Sequence, residues 1–330
     1  MKKRLSVIIP RYKEDEKAMF PLLSSIANQI AINMDEVEVV IGNDGGGAGP
    51  LSDEYLAQFC LDVRQVNLQE NKGCGLARQA AIDAAVGDYI YYCDADDILH
   101  NVLALSMTLD EAIKTGADIL ATDFYEEIKI PDGTMQYIKR SGHIGCWMHG
   151  KIMRRQFLVE NNIRFHPKFR EHEDAYFLCL AFAKSKNTRY LPQLTYVWRH
   201  NDGSITRKDN SIYTYYSVPI YIDAVTTAFE EIERTNPEQM EQRVAQLIYY
   251  HFFMLQRPDW MASDKAEYKA KAESALKEKV APYWHYYESA SPALKVQEYN
   301  AERERSFKEN VESETLAVWL QRVFGKGEPA

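Results

Sequence analysis

Three carboxylates, Asp94, Asp96 and Asp97, close the apolar run of the segment GDYIYYCDADD at residues 87–97. Nothing in folding asks for a cluster of like charges at the end of a core strand. A divalent cation is the usual relief, and Asp-x-Asp offers oxygen ligands that suit Mg2+ or Mn2+. Such ions normally share their shell with phosphate. The segment therefore predicts metal-assisted chemistry on a phosphorylated donor. The same tetrapeptide also fits a turn into a helix whose dipole the acids offset, and Asp97, ahead of Ile98 and Leu99, is expected to cap that helix.

The elements around this segment set where it must sit. Residues 5–9 and 36–42 are β-branched runs, 61–66 reads as a third strand, and Tyr89 to Cys93 has the aromatic content of a buried one. Between them, Leu22, Leu23, Ile26 and Ile30 recur at helical spacing, 51–60 reads as helix, and a Gly-rich loop at 71–75 leads into an Ala-rich helix ending at Gly87. Strands alternating with helices in this way predict an α/β fold with a mainly parallel, Rossmann-like sheet flanked by helices. Ligands bind such sheets at the carboxyl ends of the strands, so the turns at Pro10, Asp44 and Asp94 are expected to converge on one crevice. Further on, ADILATDFYEEI is strand-like, TMQYIKR is a segment to pair with another strand, and TRYLPQLTYVWRHNDGSIT reads as a strand leading into a polar loop, while HGKIMRRQFLVENN and HEDAYFLCLAFAKS read as helices. Past residue 210 the pattern becomes helical. The chain is expected to divide into a catalytic domain, 1–210, and a helical C-terminal region, 211–330.

Composition narrows the class. At 330 residues and 46% hydrophobic, the chain can bury a sizeable core. A formal charge of −9 excludes a basic nucleic-acid binder as a whole, although Lys151–Arg155 and Arg164–Arg170 are local basic runs. No apolar stretch has bilayer length, and the N-terminal run before Pro10 is too short for a signal peptide. Cys60, Cys74, Cys93, Cys146 and Cys179 are scattered without Cys-x-x-Cys spacing and read as reduced thiols, which predicts a cytoplasmic protein.

With these pieces in order, the chain resembles a family 2 glycosyltransferase with the GT-A nucleotide-sugar fold. The resemblance covers residues 4–206 and rests on SVIIPRYKED, IGNDGG, NKGCGLARQAAIDAAVGDYIYYCDADD, HGKIMRRQFL, HEDAYF and WRHNDGSIT in this order. It implies that Pro10, Tyr12 and Glu14 lie in the loop holding the nucleotide base, where an aromatic ring can stack. Asp44 matches the base-recognising aspartate, and Gly73 and Arg78 match the donor loop. Asp94 and Asp96 match the metal-binding Asp-x-Asp, with His200 as a third ligand. Arg199 and Ser204 match a loop that closes on the donor phosphates. An inverting transfer needs a carboxylate to take the acceptor proton. Asp174 matches that base and Glu173 stands beside it. His149, Gly150 and Lys151 are placed on the acceptor side or against the Asp174 helix.

The implied activity is metal-dependent, inverting transfer of a hexose or pentose from a nucleotide sugar, a UDP-sugar first, to a hydroxyl of a bacterial surface glycan, with Mn2+ or Mg2+ as cofactor. A second reading keeps the fold and takes hydroxymethylated bases of DNA as acceptor, as in phage enzymes. Others are an inactive nucleotide-sugar-binding module and a nucleotidyltransferase, the last opposed by the missing glycine signature at the first loop. The clustered Tyr and Trp residues of 211–330 suit sugar stacking, a homodimer interface or plain core. Leu316, Trp319, Leu320, Val323 and Phe324, with Arg322 and Lys326 nearby, form a stripe that could rest on a membrane surface but is expected to pack on the protein or a partner subunit.

Overall fold

A computed structural model describes residues 2–130, 132–142, 147–207, 212–305 and 314–326, Arg305 by its backbone alone. The chain forms two compact units, Met1–Asp202 and Gly203–Ala330. The expected boundary at 210/211 and Cys146 lie outside the described residues.

The first unit carries β1 (Leu5–Arg11), α1 (Glu16–Ala27), β2 (Val37–Asn43), α2 (Asp53–Ala57), β3 (Val63–Asn67), α3 (Cys74–Ala84), β4 (Tyr89–Tyr92), β5 (Ile98–Leu99), α4 (Ala104–Thr115), β6 (Ile119–Lys129), β7 (Met135–Arg140), β8 (Lys151–Arg154), α5 (Arg155–Glu160), α6 (Glu173–Lys184) and β9 (Thr188–Trp198). The strands form one nine-stranded sheet in the order β3-β2-β1-β4-β8-β6-β9-β5, with β7 beside β6. Strands β1 to β4 are parallel, as are β6 and β9, while β8, β7 and β5 run against their neighbours. The strict alternation along each strand sorts its side chains into two cores. Leu5, Val7, Ile9, Val39, Ile41, Tyr89 and Tyr91 face α1 and α4. Ile8, Val40, Ile90 and Tyr92 face α3, α5 and α6. A sheet covered on both faces leaves its strand ends as the place for a polar site.

Three local expectations fail, the first two because a distant partner overrides local pattern. HGKIMRRQFLVENN is not one helix. Lys151–Arg154 is strand β8, inserted between β4 and β6, and the helix starts only at Arg155. Asp97 caps no helix: Ile98 and Leu99 pair with Val197 and Tyr196, and α4 begins at Ala104. The helix expected over 51–60 shrinks to Asp53–Ala57, with the Ser52 hydroxyl as its cap. In α1, Leu22, Leu23 and Ile26 are buried as their spacing predicts, while Ile30 lies past the helix end and is exposed.

The second unit holds α7 (Tyr213–Tyr216), α8 (Val218–Thr235), α9 (Met240–Met254), α10 (Ala266–Val280), α11 (Trp284–Ser289), α12 (Pro292–Arg305) and α13 (Leu316–Phe324). Many of its aromatics are core. Tyr249 and Tyr287 are buried with their hydroxyls 3.1 Å apart. The α13 stripe packs within this unit: Trp319 and Leu320 are fully buried, and the Phe324 ring lies 4.7 Å from that of Trp284. Among the described residues, no helix is long and apolar enough to cross a membrane.

Candidate active site

The carboxyl ends of β2, β1 and β4 lie side by side, since these strands are sheet neighbours. After β1, Pro10 is buried opposite Gly42, and Arg11 is buried with its guanidinium on the Asn43 side-chain oxygen, 2.8 Å, and on the Gly49 carbonyl. Tyr12 is half-buried, and its carbonyl accepts the Ala48 N–H. Glu14 turns back on its own loop, Oε2 accepting the Tyr12 and Lys13 amides at 2.9 and 3.2 Å.

After β2, the buried Asp44 carboxylate accepts the Lys72 amide at 2.6 Å and the Gly73 amide at 2.9 Å. It thereby ties the end of β2 to the loop that opens α3. Gly73 supplies a φ of +92° at the start of that helix, a conformation L side chains rarely adopt.

After β4, one guanidinium organises the acids. Arg78, expected at the donor phosphates or base, is buried on α3. It donates to Asp94 Oδ1 at 2.5 Å and to Glu173 Oε1 at 2.9 Å. It joins the end of β4 to the start of α6, where Asp174, the next residue, is half-buried. Burial alone would raise the Asp94 carboxyl, but Arg78 and His149 hold it below the ordinary carboxylate range. At Asp174 the Arg78 charge is outweighed. Burial and then the Glu173 charge push its carboxyl up to about 8. The close approach of α3 to α6 depends on Gly75, where a Cβ would stand 2.7 Å from Glu173 Cγ and 3.2 Å from the Phe165 ring. Gly75→Ala is expected to cost about 1–3 kcal/mol in chemical denaturation, the usual range for overpacking, and to displace the Glu173–Asp174 corner.

The potential metal ligands gather differently from the expected set. Among the described residues, Asp94, Asp97 and His149 bring ligand atoms within 4.8 Å of one another. His149 Nε2 is 3.2 Å from Asp94 Oδ2 and 3.8 Å from Asp97 Oδ2. Its ring stacks on Tyr196 at 5.1 Å. The Tyr196 hydroxyl accepts the Asp94 amide and donates to Asp97 Oδ2 at 2.6 Å, so Asp97 belongs to this group rather than to a helix cap. Asp96 lies beside it, with Oδ2 accepting the Asn201 amide at 2.8 Å. The expected third ligand, His200, lies outside the cluster because its Nε2 is engaged with Asp202 Oδ1 at 2.8 Å. Lys151 is buried with its amine on the Trp147 carbonyl, and Gly150 adopts a φ of +63° against Thr122. Neither extends to the acidic group in the way His149 does. Arg199 donates its amide to Asp97 Oδ1 at 2.8 Å, and its guanidinium reaches the Asp96 carbonyl at 3.4 Å. Ser204 falls in the second unit, with its hydroxyl 3.3 Å from that of Thr206. Carboxylate oxygens with one imidazole form a donor set that fits Mn2+ and, through the oxygens, Mg2+.

Sequence reasoning did not single out Arg11, Tyr196 or Asn201, and it placed His149 elsewhere. Their partners lie 32, 99, 105 and 55 residues away, beyond any local pattern.

Comparison with known proteins places this geometry. The glycosyl transferase family 2 model matches residues 6–185. The chain is similar to the uncharacterized glycosyltransferase EpsJ of Bacillus subtilis, 26% identical over 222 residues, which covers 61% of this chain and 62% of that protein. It thus spans under two thirds of that relative's length. It is also similar to the succinoglycan biosynthesis protein ExoO of Rhizobium meliloti, 28% identical over 166 residues, covering 44% of this chain and 47% of that one. In fold it is similar to S. aureus TarS 1–349 in complex with UDP-GlcNAc, with a TM-score of 0.65 and 20% identity over 91% of this chain and 90% of that one. A family match over more than half the chain, on a sheet that carries its acids at the strand ends, puts this protein in glycosyl transferase family 2, with the GT-A fold.

Proposed function

We propose that the protein transfers a sugar, with inversion, from a UDP-sugar to a hydroxyl of a bacterial surface glycan, and that the transfer requires Mn2+ or Mg2+. The observation that carries this reading is the Arg78 bridge, which joins the Asp94 end of β4 to the Glu173–Asp174 corner of α6. A phosphate-side carboxylate and a candidate base are thereby held in one construction. The UDP-GlcNAc complex of TarS supports a uridine donor, and the role named for ExoO supports a glycan acceptor.

Asp94 and Asp96 are the carboxylates we assign to the cation, with Asp97 and His149 completing the donor set behind Asp94; His200 would join them only by leaving Asp202. When bound, the ion offsets the charge that develops on the departing nucleoside diphosphate. The remaining work falls to the chain. Tyr12 and Pro10 form the wall for the base. Asp44 fixes the loop opening α3, and its carboxylate keeps acceptor capacity for a base N–H. Asp174 takes the acceptor proton as the hydroxyl attacks the anomeric carbon from the face opposite the leaving group. Glu173, already bound to Arg78, holds the corner in place. Arg199 and Asn201 support Asp96 from the far side. Residues 211–330 are assigned to acceptor binding or self-association. Removing them is expected to spare nucleotide binding and abolish transfer.

A thermal-shift panel of UDP, GDP and CDP sugars with Mn2+ tests the donor, because a ligand that binds the folded state alone raises Tm with its affinity. A UDP-dependent rise that chelator removes is expected, and the anomeric configuration of the product should be inverted by NMR. A rise insensitive to chelator would overturn the metal role, and a retained configuration would overturn the mechanism.

Asp96→Ala is the cleaner metal variant. Asp94 is paired with buried Arg78, so its removal also leaves that guanidinium short of a partner. Asp96→Ala is expected to lose the Mn2+-dependent shift with Tm of the ligand-free protein nearly unchanged. Full transfer activity of this variant in chelator would contradict the assignment.

A further inference from the structure

The turn at 199–202 is held from two sides. The parallel ladder between β6 and β9 ends at the Glu126–Trp198 pair, and beyond it side chains take over. Glu127 Oε2 accepts the His200 amide at 2.8 Å, and Oε1 accepts the Tyr137 hydroxyl at 2.7 Å. Tyr137 is the β7 residue directly opposite Glu127. Two residues along β6, Lys129 pairs with Asp202 at 3.0 Å. From the other side, Asp96 and Asp97 engage the same turn through Arg199 and Asn201.

We propose that Glu127 is a positioning residue for the donor site: by fixing the His200 amide between β6 and the 94–97 segment, it holds Arg199 and Asn201 on Asp96 before any ligand binds. The inference rests on the glycosyltransferase reading of that end of the sheet. The exposed Lys129–Asp202 pair contributes little by comparison, because solvent screens such pairs. The Glu127 bond to a backbone amide is charge-assisted and part-buried, and so the stronger of the two. The Tyr137 hydroxyl occupies the second carboxylate oxygen and fixes the direction in which the first one points. Without Glu127, the donor would have to order the turn on arrival. That cost falls on binding and leaves the bound complex unchanged, so it appears in KM rather than kcat.

The test compares Glu127→Ala, Glu127→Gln and Tyr137→Phe in the full chain. Two readouts are used: amide hydrogen exchange of the ligand-free protein, and binding of UDP with Mn2+ alongside transfer kinetics. Glu127→Ala is expected to speed exchange at 199–202 relative to β1, β2 and β4, and to raise the UDP Kd and donor KM by about tenfold, the value of one hydrogen bond to a charged group. Its kcat should stay within about twofold. Glu127→Gln, whose side-chain oxygen still accepts the His200 amide, should restore most of the affinity. Tyr137→Phe removes a single hydroxyl from an exposed ring, and its shift should follow in the same direction at roughly two- to fivefold. Should Glu127→Ala not fold, this second variant decides the matter alone. Unchanged exchange at 199–202, or a lowered Tm with KM untouched, would overturn the proposal and leave Glu127 a structural stitch. A wild-type protein that binds no UDP would overturn the donor reading instead, and the exchange arm would still report whether Glu127 holds the turn.

Discussion

Asp174→Asn is expected to lower the transfer rate by at least ~100-fold, the low end of general-base contributions. UDP affinity should stay within about twofold, as for a residue used only in the chemical step. The choice of Asp174 over its neighbour follows from commitments already visible. Glu173 Oε1 is taken by Arg78, whereas the contact of Asp174 is with the Ala175 amide at 2.8 Å. Burial and the Glu173 charge raise the Asp174 carboxyl to about 8. A base must be ionised, so the wild-type rate should climb as pH rises through that value, and the variant should lose this limb. Stability runs the other way. A carboxyl raised on folding contributes stability that is present below its unfolded pKa and is lost as pH rises to about 8. Asp174→Asn should therefore melt higher than wild type at pH above that range while transferring sugar far more slowly. Equal losses in UDP binding and rate, with no gain in Tm, would make Asp174 a donor or structural residue and shift the base to Glu173.

Arg78→Met should have the largest effect on stability. Removing one partner from a buried ion pair typically costs about 3–5 kcal/mol, because the other charges stay behind unpaired. Here Glu173 loses its ion-pair partner and Asp94 keeps only His149, and the guanidinium side chain is only 6% exposed. Urea denaturation measures the loss. Mn2+-dependent UDP binding should fall with it, because Asp94 would lose the larger of the two charges that offset its burial. Arg78→Lys supplies a point charge without the fork and should recover part of the stability but not both bridges. A variant as stable as wild type would mean that the bridge is incidental.

Much of the fold could be read from the chain because its strands announce themselves. Leu5 to Ile9, Val37 to Ile41 and Tyr89 to Tyr92 are β-branched or aromatic runs, and each borders a helix whose apolar residues recur at the right spacing. Strand β8 did not announce itself. Lys151 to Arg154 continues into a true helix, and its strand character comes from β4 and β6, which flank it only once the chain has folded. The acids of the site were legible as acids, since a carboxylate cluster after a core strand needs a reason. What each one touches was not. Asp97 looked like a cap because the Tyr196 hydroxyl that claims it lies 99 residues downstream, and the Arg78 side chain gave no local sign that it would turn inward.

The reach of Arg78 has a consequence for how such a gene can change. Its two acids lie 16 and 95 residues further along the chain. A crossover with a relative anywhere between positions 94 and 173 separates the guanidinium from one of them. The chimera keeps a working centre only when the incoming fragment brings an acid to position 173. Stepwise substitution meets the same barrier, since losing any one member first leaves a buried charge without its partner. Positions 78, 94 and 173 should thus pass from parent to descendant as a linked set. Directed-evolution libraries on this scaffold will waste fewer clones if the three are varied together or not at all.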